Sequence, residues 1–159
     1  MTNPIPDGFR TVTPHLVIAG AAAAIDFYKT AFGAEELFRS YTPDGAKIMH
    51  ATIRIGDSNI MLVDDMPEMS GGKSMSPQAL GGSPIMLSLY VADCDAATAR
   101  AEAAGATITM PPADMFWGDR FAMLTDPFGH LWTIATQVAT PTHEEMEAAM
   151  ATAFAKKPA

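Results

Sequence analysis

Residues 21–34 read AAAAIDFYKTAFGA, and this stretch decides the fold. Ile25, Tyr28 and Phe32 recur at helical spacing, which predicts one helix over 21–32. Gly33 follows directly, where a left-handed C-terminal cap is expected. One strand pattern precedes this helix and three follow it, at 11–18, 34–41, 47–55 and 59–63. The order is therefore β-α-β-β-β.

The second half of the chain repeats this order. A strand pattern at 85–91 precedes an Ala-rich helical stretch at 93–104, and Gly105-Ala106 repeats Gly33-Ala34. Three further strand patterns stand at 107–110, 120–125 and 131–136. The sequence predicts one α+β domain over 1–159, with module 1 at about 9–64, a linker loop at 65–84 and module 2 at about 85–138.

A last helix is expected after the second module, at about 142–156. Thr142 followed by Glu145 is a capping-box pattern. Met146, Met150 and Phe154 then mark one apolar face, which is expected to dock on the body of the protein or on a partner subunit. Residues 156–159 are expected to fray.

Composition limits the classes of partner. The 159 residues carry ten Lys and Arg against eighteen Asp and Glu, a net charge of −8, and no basic stripe that would bind nucleic acid. No apolar run reaches the roughly 18 residues of a membrane span. The first residues lack the pattern of a secretory signal, and Cys94 is the only cysteine. We therefore expect the protein to reside in the reducing cytoplasm.

Neither a nucleophile nor a metal site is evident from spacing. Cys94 stands between Asp93 and Asp95, which favour the thiol over the reactive thiolate. The four histidines are scattered, at His15, His50, His130 and His143, without the close spacing of a zinc motif. His15 and His50 lie in strand patterns and could meet in space, more often as polar lining than as a metal pair.

Strand alternation assigns the residues of a cup. The side chains at Thr13, His15 and Val17 share a face, and the residues opposite are expected to back onto helices. The cup face also takes Met61 and Val63, then Met86, Ser88 and Tyr90, then Leu131, Thr133 and Ala135, and the expected helix-facing residues are Leu16, Ile18, Leu87, Leu89 and Ile134. The expected ligand-binding residues are His15, His50, Met61, Met86, Tyr90 and Trp117, with Arg120 near the mouth. This lining is apolar and rich in methionine, which suits a flat organic molecule.

The segment 116–120 allows two interpretations. In the first, Trp117 stacks on the ligand as a lid hinged at Gly118, and Arg120 grips a carboxylate. In the second, Phe116 and Trp117 cap the core while Asp119 and Arg120 pair locally.

The arrangement resembles the vicinal oxygen chelate superfamily, and in particular its PhnB-like glyoxalase/bleomycin-resistance branch. The similar stretches are Thr13-Pro14-His15-Leu16, Ala24-Ile25-Asp26-Phe27-Tyr28, Phe32-Gly33-Ala34-Glu35, Gly81-Gly82-Ser83-Pro84, Phe116-Trp117-Gly118-Asp119-Arg120, Asp126-Pro127-Phe128-Gly129-His130-Leu131-Trp132 and Glu144-Glu145-Met146. The resemblance implies two modules whose curved sheets form a cup, and a homodimer. It leaves open whether modules pair within a chain or between chains.

The resemblance also implies a test for metal. Metal-using members carry His, Glu or Gln on the first and last strand of each module, and the aligned positions here are Thr13, Met61, Met86 and Thr133. Thioethers and threonine hydroxyls are poor ligands for a hard divalent ion. We therefore expect no metal and no other cofactor.

Three functions remain open from the sequence. The first is a protein that binds or sequesters a small organic molecule without metal, as the bleomycin-binding relatives do. The second is a glyoxalase-like lyase, isomerase or transferase with an offset metal site near His15 and His50. The third is a dimeric protein whose cup is only core. The residues leave open whether the chain is an enzyme, and no catalytic residue is assigned.

Overall fold

The computed structural model describes residues 3–155, and its elements follow the predicted order. The first module contains β1 (His15–Ile18), α1 (Ala21–Phe32), β2 (Glu35–Tyr41), β3 (Ile48–Ile55) and β4 (Ser58–Asp64). A segment with a 3-10 turn (Pro67–Met69) and a short helix, α2 (Pro77–Leu80), leads to the second. That module contains β5 (Met86–Tyr90), α3 (Cys94–Ala103), β6 (Thr107–Asp114), β7 (Asp119–Thr125) and β8 (Leu131–Gln137), and α4 (His143–Ala155) follows it. The fraying expected at 156–159 lies outside the described residues.

Each module builds one mixed sheet of four strands. Sheet 1 has the order β1-β4-β3-β2 and sheet 2 the order β5-β8-β7-β6. In both, the first strand runs parallel to the last and the remaining neighbours are antiparallel. The α+β fold of two β-α-β-β-β modules with a C-terminal helix is thus confirmed.

The decisive helix α1 has the predicted bounds. Gly33 ends it at φ +67°; its backbone N–H donates to the carbonyl of Lys29, and the N–H of Ala34 donates to the carbonyl of Tyr28. At the other end, Asp64 Oδ1 accepts the backbone N–H groups of Gly20 and Ala21 at 3.1 and 2.7 Å. A carboxylate from the end of β4 therefore caps the helix, which lacks a capping side chain of its own.

The core lies between the two sheets. Helix α1 packs on sheet 1, helix α3 packs on sheet 2, and the two helices contact each other. Trp132 of β8 is buried and its ring lies 5.4 Å from Tyr28 and 4.7 Å from Phe32, both in α1. The residues expected to face the helices do so, buried or partly buried: Leu16, Ile18, Leu87, Leu89 and Ile134.

This layering decides where the other face of each sheet points. Both sheets use their inner faces to cover the shared core, so both outer faces point away from it. We call these outer faces open face 1, on sheet 1, and open face 2, on sheet 2. The modules of one chain therefore meet through their helices, and the two open faces do not close on each other within the chain.

Helix α4 begins as expected but does not pack on its own chain. The Thr142 N–H donates to Glu145 Oε2 at 2.7 Å and the Glu145 N–H to Thr142 Oγ1 at 3.2 Å, which confirms the capping box. None of its described residues is buried, and Phe154 is 68% exposed. The expectation that it docks on the body is wrong for the described residues, while docking on a partner stays a prediction. Over residues 3–155, every helix is too short or too polar to cross a membrane.

Candidate functional site

Open face 1 presents a row of four side chains across its strands. Strand register aligns His15, Met61, Thr52 and Phe38, from β1 to β2. Thr52 in the middle is buried, while Phe38 at the edge is 54% exposed. An exposed phenylalanine next to methionine and histidine gives this face an apolar character with a few polar atoms.

His15 and His50 meet on this face, as the sequence allowed. Their ring centroids are 5.9 Å apart, edge to face, and His50 Nε2 lies 3.3 Å from Thr52 Oγ1. Burial and the neighbouring His50 lower the pKa of His15, which favours its neutral ring. Over residues 3–155, no cluster of three or more His, Cys, Asp or Glu side chains is placed to hold a metal ion.

Open face 2 is a shallow trough. Register aligns Tyr90, Ala135 and Phe121 in one row, and Ser88, Thr133 and Met123 in the next. The small central residues Ala135 and Thr133 are buried and form its floor. At its edge Met86 and Tyr90 are 51% and 71% exposed, so this face also presents apolar surface.

An aromatic cluster closes one end of the trough. Trp117 lies edge to face with Phe116 and Phe121, at centroid distances of 5.1 and 5.5 Å. Its indole N–H donates to Asp119 Oδ2 at 3.1 Å, and the Tyr90 hydroxyl donates to the same oxygen at 3.0 Å. Asp119 is buried and was not among the residues expected in the site.

Close packing and backbone hydrogen bonds fix the position of Gly118. It has φ +99°, and a Cβ there would overlap Ala139 O and lie 2.7 Å from Pro141 Cδ. Its carbonyl also accepts the backbone N–H groups of Val138 and Ala139. The hinge expected at this glycine is therefore corrected, because close packing demands the glycine.

Arg120 belongs to the other side of sheet 2. Its guanidinium donates to both carboxylate oxygens of Asp95 at 2.8 Å and to Asp114 Oδ1 at 3.3 Å. Alternation along β7 puts its neighbours Asp119 and Phe121 on open face 2 and turns Arg120 away. The expectation that Arg120 stands at the mouth of the pocket is corrected, as is the alternative that it pairs with Asp119.

Clefts of the single chain run along the free edges of the sheets. One of about 790 Å³ follows β5 and holds Met86 and Tyr90. Another of about 470 Å³ follows β1 and holds His15. Neither cleft brings His15, His50 or Met61 together with Met86, Tyr90 or Trp117. Six of the seven residues expected from the sequence thus fall on two open faces, and Arg120 lies on neither.

Comparison with known proteins assigns the family. The model of the Glyoxalase/Bleomycin resistance protein/Dioxygenase superfamily matches residues 11–134. The chain belongs to this superfamily. The vicinal oxygen chelate resemblance is thereby confirmed.

Relatives and solved structures agree with the assignment. The chain is 49% identical over 139 residues to the uncharacterized protein Mb0911c of Mycobacterium bovis, covering 87% of this chain and 91% of that protein. The Arabidopsis thaliana protein At5g48480 has a similar structure, with a TM-score of 0.64, 28% identity and coverage of 80% and 98%. The PhnB protein of Bacillus cereus shares the fold, with a TM-score of 0.58, 17% identity and coverage of 80% and 99%.

Strand register shows which side chains stand beside the four positions aligned with metal ligands, Thr13, Met61, Met86 and Thr133. Thr13 precedes β1, where its hydroxyl donates to Arg10 O, and His15 is the residue paired with Met61. In sheet 2 the partner of Thr133 is Ser88, to which it donates at 2.9 Å, rather than Met86. The side chains that share a register row with Met61 and with Thr133 are therefore His15 and Ser88, which gives a group of His15, Met61, Ser88 and Thr133. One imidazole, one thioether and two hydroxyls do not fit a hard divalent ion.

Cys94 takes no part in either face. Its side chain is buried, and Sγ donates to Ile134 O at 3.3 Å. Burial is the largest cause that raises the pKa of the thiol, with a smaller contribution from Asp95 and Asp93. Burial, more than the two carboxylates, is therefore the main reason to expect a protonated thiol.

Proposed function

We propose that the protein binds a small organic molecule, without a catalytic metal, in a pocket formed between two copies of the chain. Open face 1 of one copy covers open face 2 of the other, so a two-fold dimer holds two equivalent pockets. The observation that carries this proposal is the outward direction of both faces. Each presents apolar side chains that a single chain leaves uncovered, with Tyr90 71% exposed.

The amount of exposed surface supports a dimer. The chain exposes 9598 Å², whereas a monomer of its size exposes about 7,700 Å². The difference exceeds the roughly 800 Å² that one partner contributes to a standard interface. Helix α4 and the two open faces contribute to this exposed area, because α4 has no buried residue among those described and both faces carry exposed apolar side chains.

The chemistry of the faces supports ligand binding over metal catalysis. Methionines at Met61, Met86 and Met123 adapt to irregular shapes, and Ser88 and Thr133 satisfy each other by their hydrogen bond. Such a lining favours an apolar or aromatic ligand. The runner-up is a metal-dependent glyoxalase-like enzyme using His15 and His50, which the 5.9 Å separation of their rings favours.

One set of measurements tests the proposal. Light scattering gives the mass in solution, elemental analysis gives the metal content, and thermal shifts with a panel of neutral and charged aromatic compounds report binding. We expect a dimer, well under one metal ion per chain, and stabilisation by some members of the panel.

Variants locate the pocket. Met61→Glu on open face 1 and Met123→Glu on open face 2 should each abolish the ligand-induced shift. Ala23→Glu adds the same charge on the exposed side of α1 and should leave the shift intact. A monomer that responds to no compound would overturn the proposal. One tightly held ion per chain, lost in His15→Ala, would establish the metal-dependent alternative.

A further inference from the structure

Asp119 is an unusual group to find on open face 2. It is only 6% exposed, and none of the described Lys, Arg or His side chains forms an ion pair with it. Its sequence neighbour Arg120 points the other way and is engaged by Asp95 and Asp114. A buried carboxylate normally has a charged partner or a full set of hydrogen bonds.

The donors on Asp119 satisfy only one of its two oxygens. Tyr90 and Trp117 both donate to Oδ2, at 3.0 and 3.1 Å. Among the described residues no side chain or backbone group donates to Oδ1, and this oxygen stays accessible from the open face, since Asn59 Oδ1 is the one buried side-chain polar atom of these residues without a partner. The hydrogen bond from Tyr90 to this carboxylate also raises the pKa of the tyrosine, so Tyr90 remains a donor and supplies no countercharge.

Aromatic rings surround this carboxylate. Trp117 and Tyr90 are fixed by their hydrogen bonds to it, and Phe121 and Phe116 hold the indole edge to face. The electron-rich face of an aromatic ring attracts a cation within about 6 Å, most strongly in the case of tryptophan. A carboxylate and several such rings in one place complement an organic cation better than a neutral or anionic molecule.

We infer that Asp119, Tyr90, Trp117 and Phe121 form a subsite for an organic cation, of the class of flat aromatic cations and substituted ammonium ions. This inference rests on the proposed function, because the subsite lies at one end of the proposed pocket. The ring faces bind the apolar body of the ligand, and Asp119 supplies the countercharge that no described residue of the chain provides. The net charge of −8 favours the approach of such a ligand.

Two probes of the same shape separate the effect of the ligand's charge on affinity from that of its buried apolar area. N-Methylquinolinium is a flat cation, and 1-methylnaphthalene is its neutral isostere. Calorimetry or equilibrium dialysis with the full-length protein gives both dissociation constants. We expect the cation to bind at least about tenfold more tightly. The free energies of a desolvated cation–aromatic contact and of the attraction to a carboxylate together correspond to a difference of this size in the dissociation constant.

The matched variants are Asp119→Asn and Asp26→Asn. The first keeps the shape and an acceptor oxygen for Tyr90 and Trp117 but removes the charge. The second removes the same charge from the exposed side of α1. We expect Asp119→Asn to abolish the preference for the cation while leaving the affinity for 1-methylnaphthalene within about twofold. Asp26→Asn should keep the preference.

Each other outcome has a definite meaning. If the wild-type protein binds both probes equally, the cation subsite is wrong and the pocket stands. If Asp119→Asn and Asp26→Asn weaken cation binding equally, the overall charge of the protein attracts the cation and the subsite is again wrong. If neither probe binds while other members of the aromatic panel stabilise the protein, the cation subsite is wrong and the pocket stands.

Discussion

Tyr28 in α1 donates its hydroxyl hydrogen to Asp126 Oδ2 over 2.7 Å, although 98 residues separate the two in sequence. The same oxygen accepts the indole N–H of Trp132 at 2.9 Å, and Oδ1 accepts the backbone N–H groups of Phe128 and His130. One buried carboxylate therefore shapes the turn before β8 and joins it to the helix of the other module. Burial and Asp126 both raise the pKa of Tyr28, so its hydroxyl stays protonated and remains a donor.

Tyr28→Phe should destabilise the fold by about 1.5–3 kcal/mol, because it removes a hydrogen bond to a buried carboxylate and leaves the rest of the ring in place. Urea unfolding gives the value. Tyr41→Phe is the control, since Tyr41 is exposed and its hydroxyl oxygen accepts a hydrogen bond from Arg39 at the surface. It should change stability by no more than about 0.5 kcal/mol. Equal losses in the two variants would contradict the role given to Asp126.

Gly118→Ala should be more costly than an ordinary glycine substitution. A left-handed backbone costs an alanine about 1–2 kcal/mol, and here the new methyl group also overlaps Ala139 O and Pro141. Gly45→Ala shares the positive φ, at +72°, but its Cβ meets open space. Thermal and urea unfolding should therefore show a larger loss for Gly118→Ala. Similar losses would mean that residues 116–119 move freely away from 139–141.

Stability should fall as the pH is lowered from about 7 to 5.5. Burial lowers the pKa of His130 in the folded protein, with a smaller opposing effect from Asp126 and Val17 O, and burial also lowers that of His15. The unfolded chain takes up protons on these residues near pH 6.5, before the folded protein does, so acid favours unfolding. Urea unfolding at several pH values measures the slope.

Substitutions identify the histidine responsible for this slope. His130→Gln removes the titrating group and can still donate to Val17 O, so its stability should depend less on pH over this window. His143→Gln changes an exposed histidine at the start of α4 and should keep the wild-type slope. An unchanged slope in both His130→Gln and His15→Gln would refute the assignment.

The apolar face of α4 should act between chains. Replacing Met146, Met150 and Phe154 by Gln should raise the dimer dissociation constant by about tenfold or more, since none of these side chains is buried in its own chain. Analytical ultracentrifugation measures the constant. Ala148→Gln with Thr152→Gln alters the opposite face of the helix and should leave it unchanged. If the triple variant dimerises like the wild type, α4 is not part of the interface.

Most elements follow from the sequence because each module has a clear period. The apolar residues of α1 repeat at helical spacing and Gly33 ends it, so its bounds were predictable. Strand β6 was expected to stop at Met110 but continues through Pro111 and Pro112 to Asp114. It is one of the two edge strands of sheet 2, where a missing N–H can face solvent, and sequence alone does not reveal which strands are the edges.

The site was predictable in part. Alternation correctly places His15 and Met61 on one face, and Met86 and Tyr90 on one face of the other sheet. Asp119 was missed because it was considered only as a neighbour of Arg120. Alternation within the predicted strand 120–125 already separates Arg120 from Phe121, and starting β7 one residue earlier would also have put Asp119 on the face of Phe121. That start depends on backbone pairing with Gln137, a contact that no local pattern signals.

The outward direction of the two sheet faces has a consequence for mixed populations of chains. In the proposed dimer, each pocket takes one wall from each chain. A variant defective at Met61 and another defective at Met123 would each lose both pockets alone. Their heterodimer carries both defects in one pocket and none in the other. Co-expression should therefore restore binding to roughly a quarter of all pockets under random pairing. Such complementation between two inactive alleles would be visible without any knowledge of the ligand's cellular role.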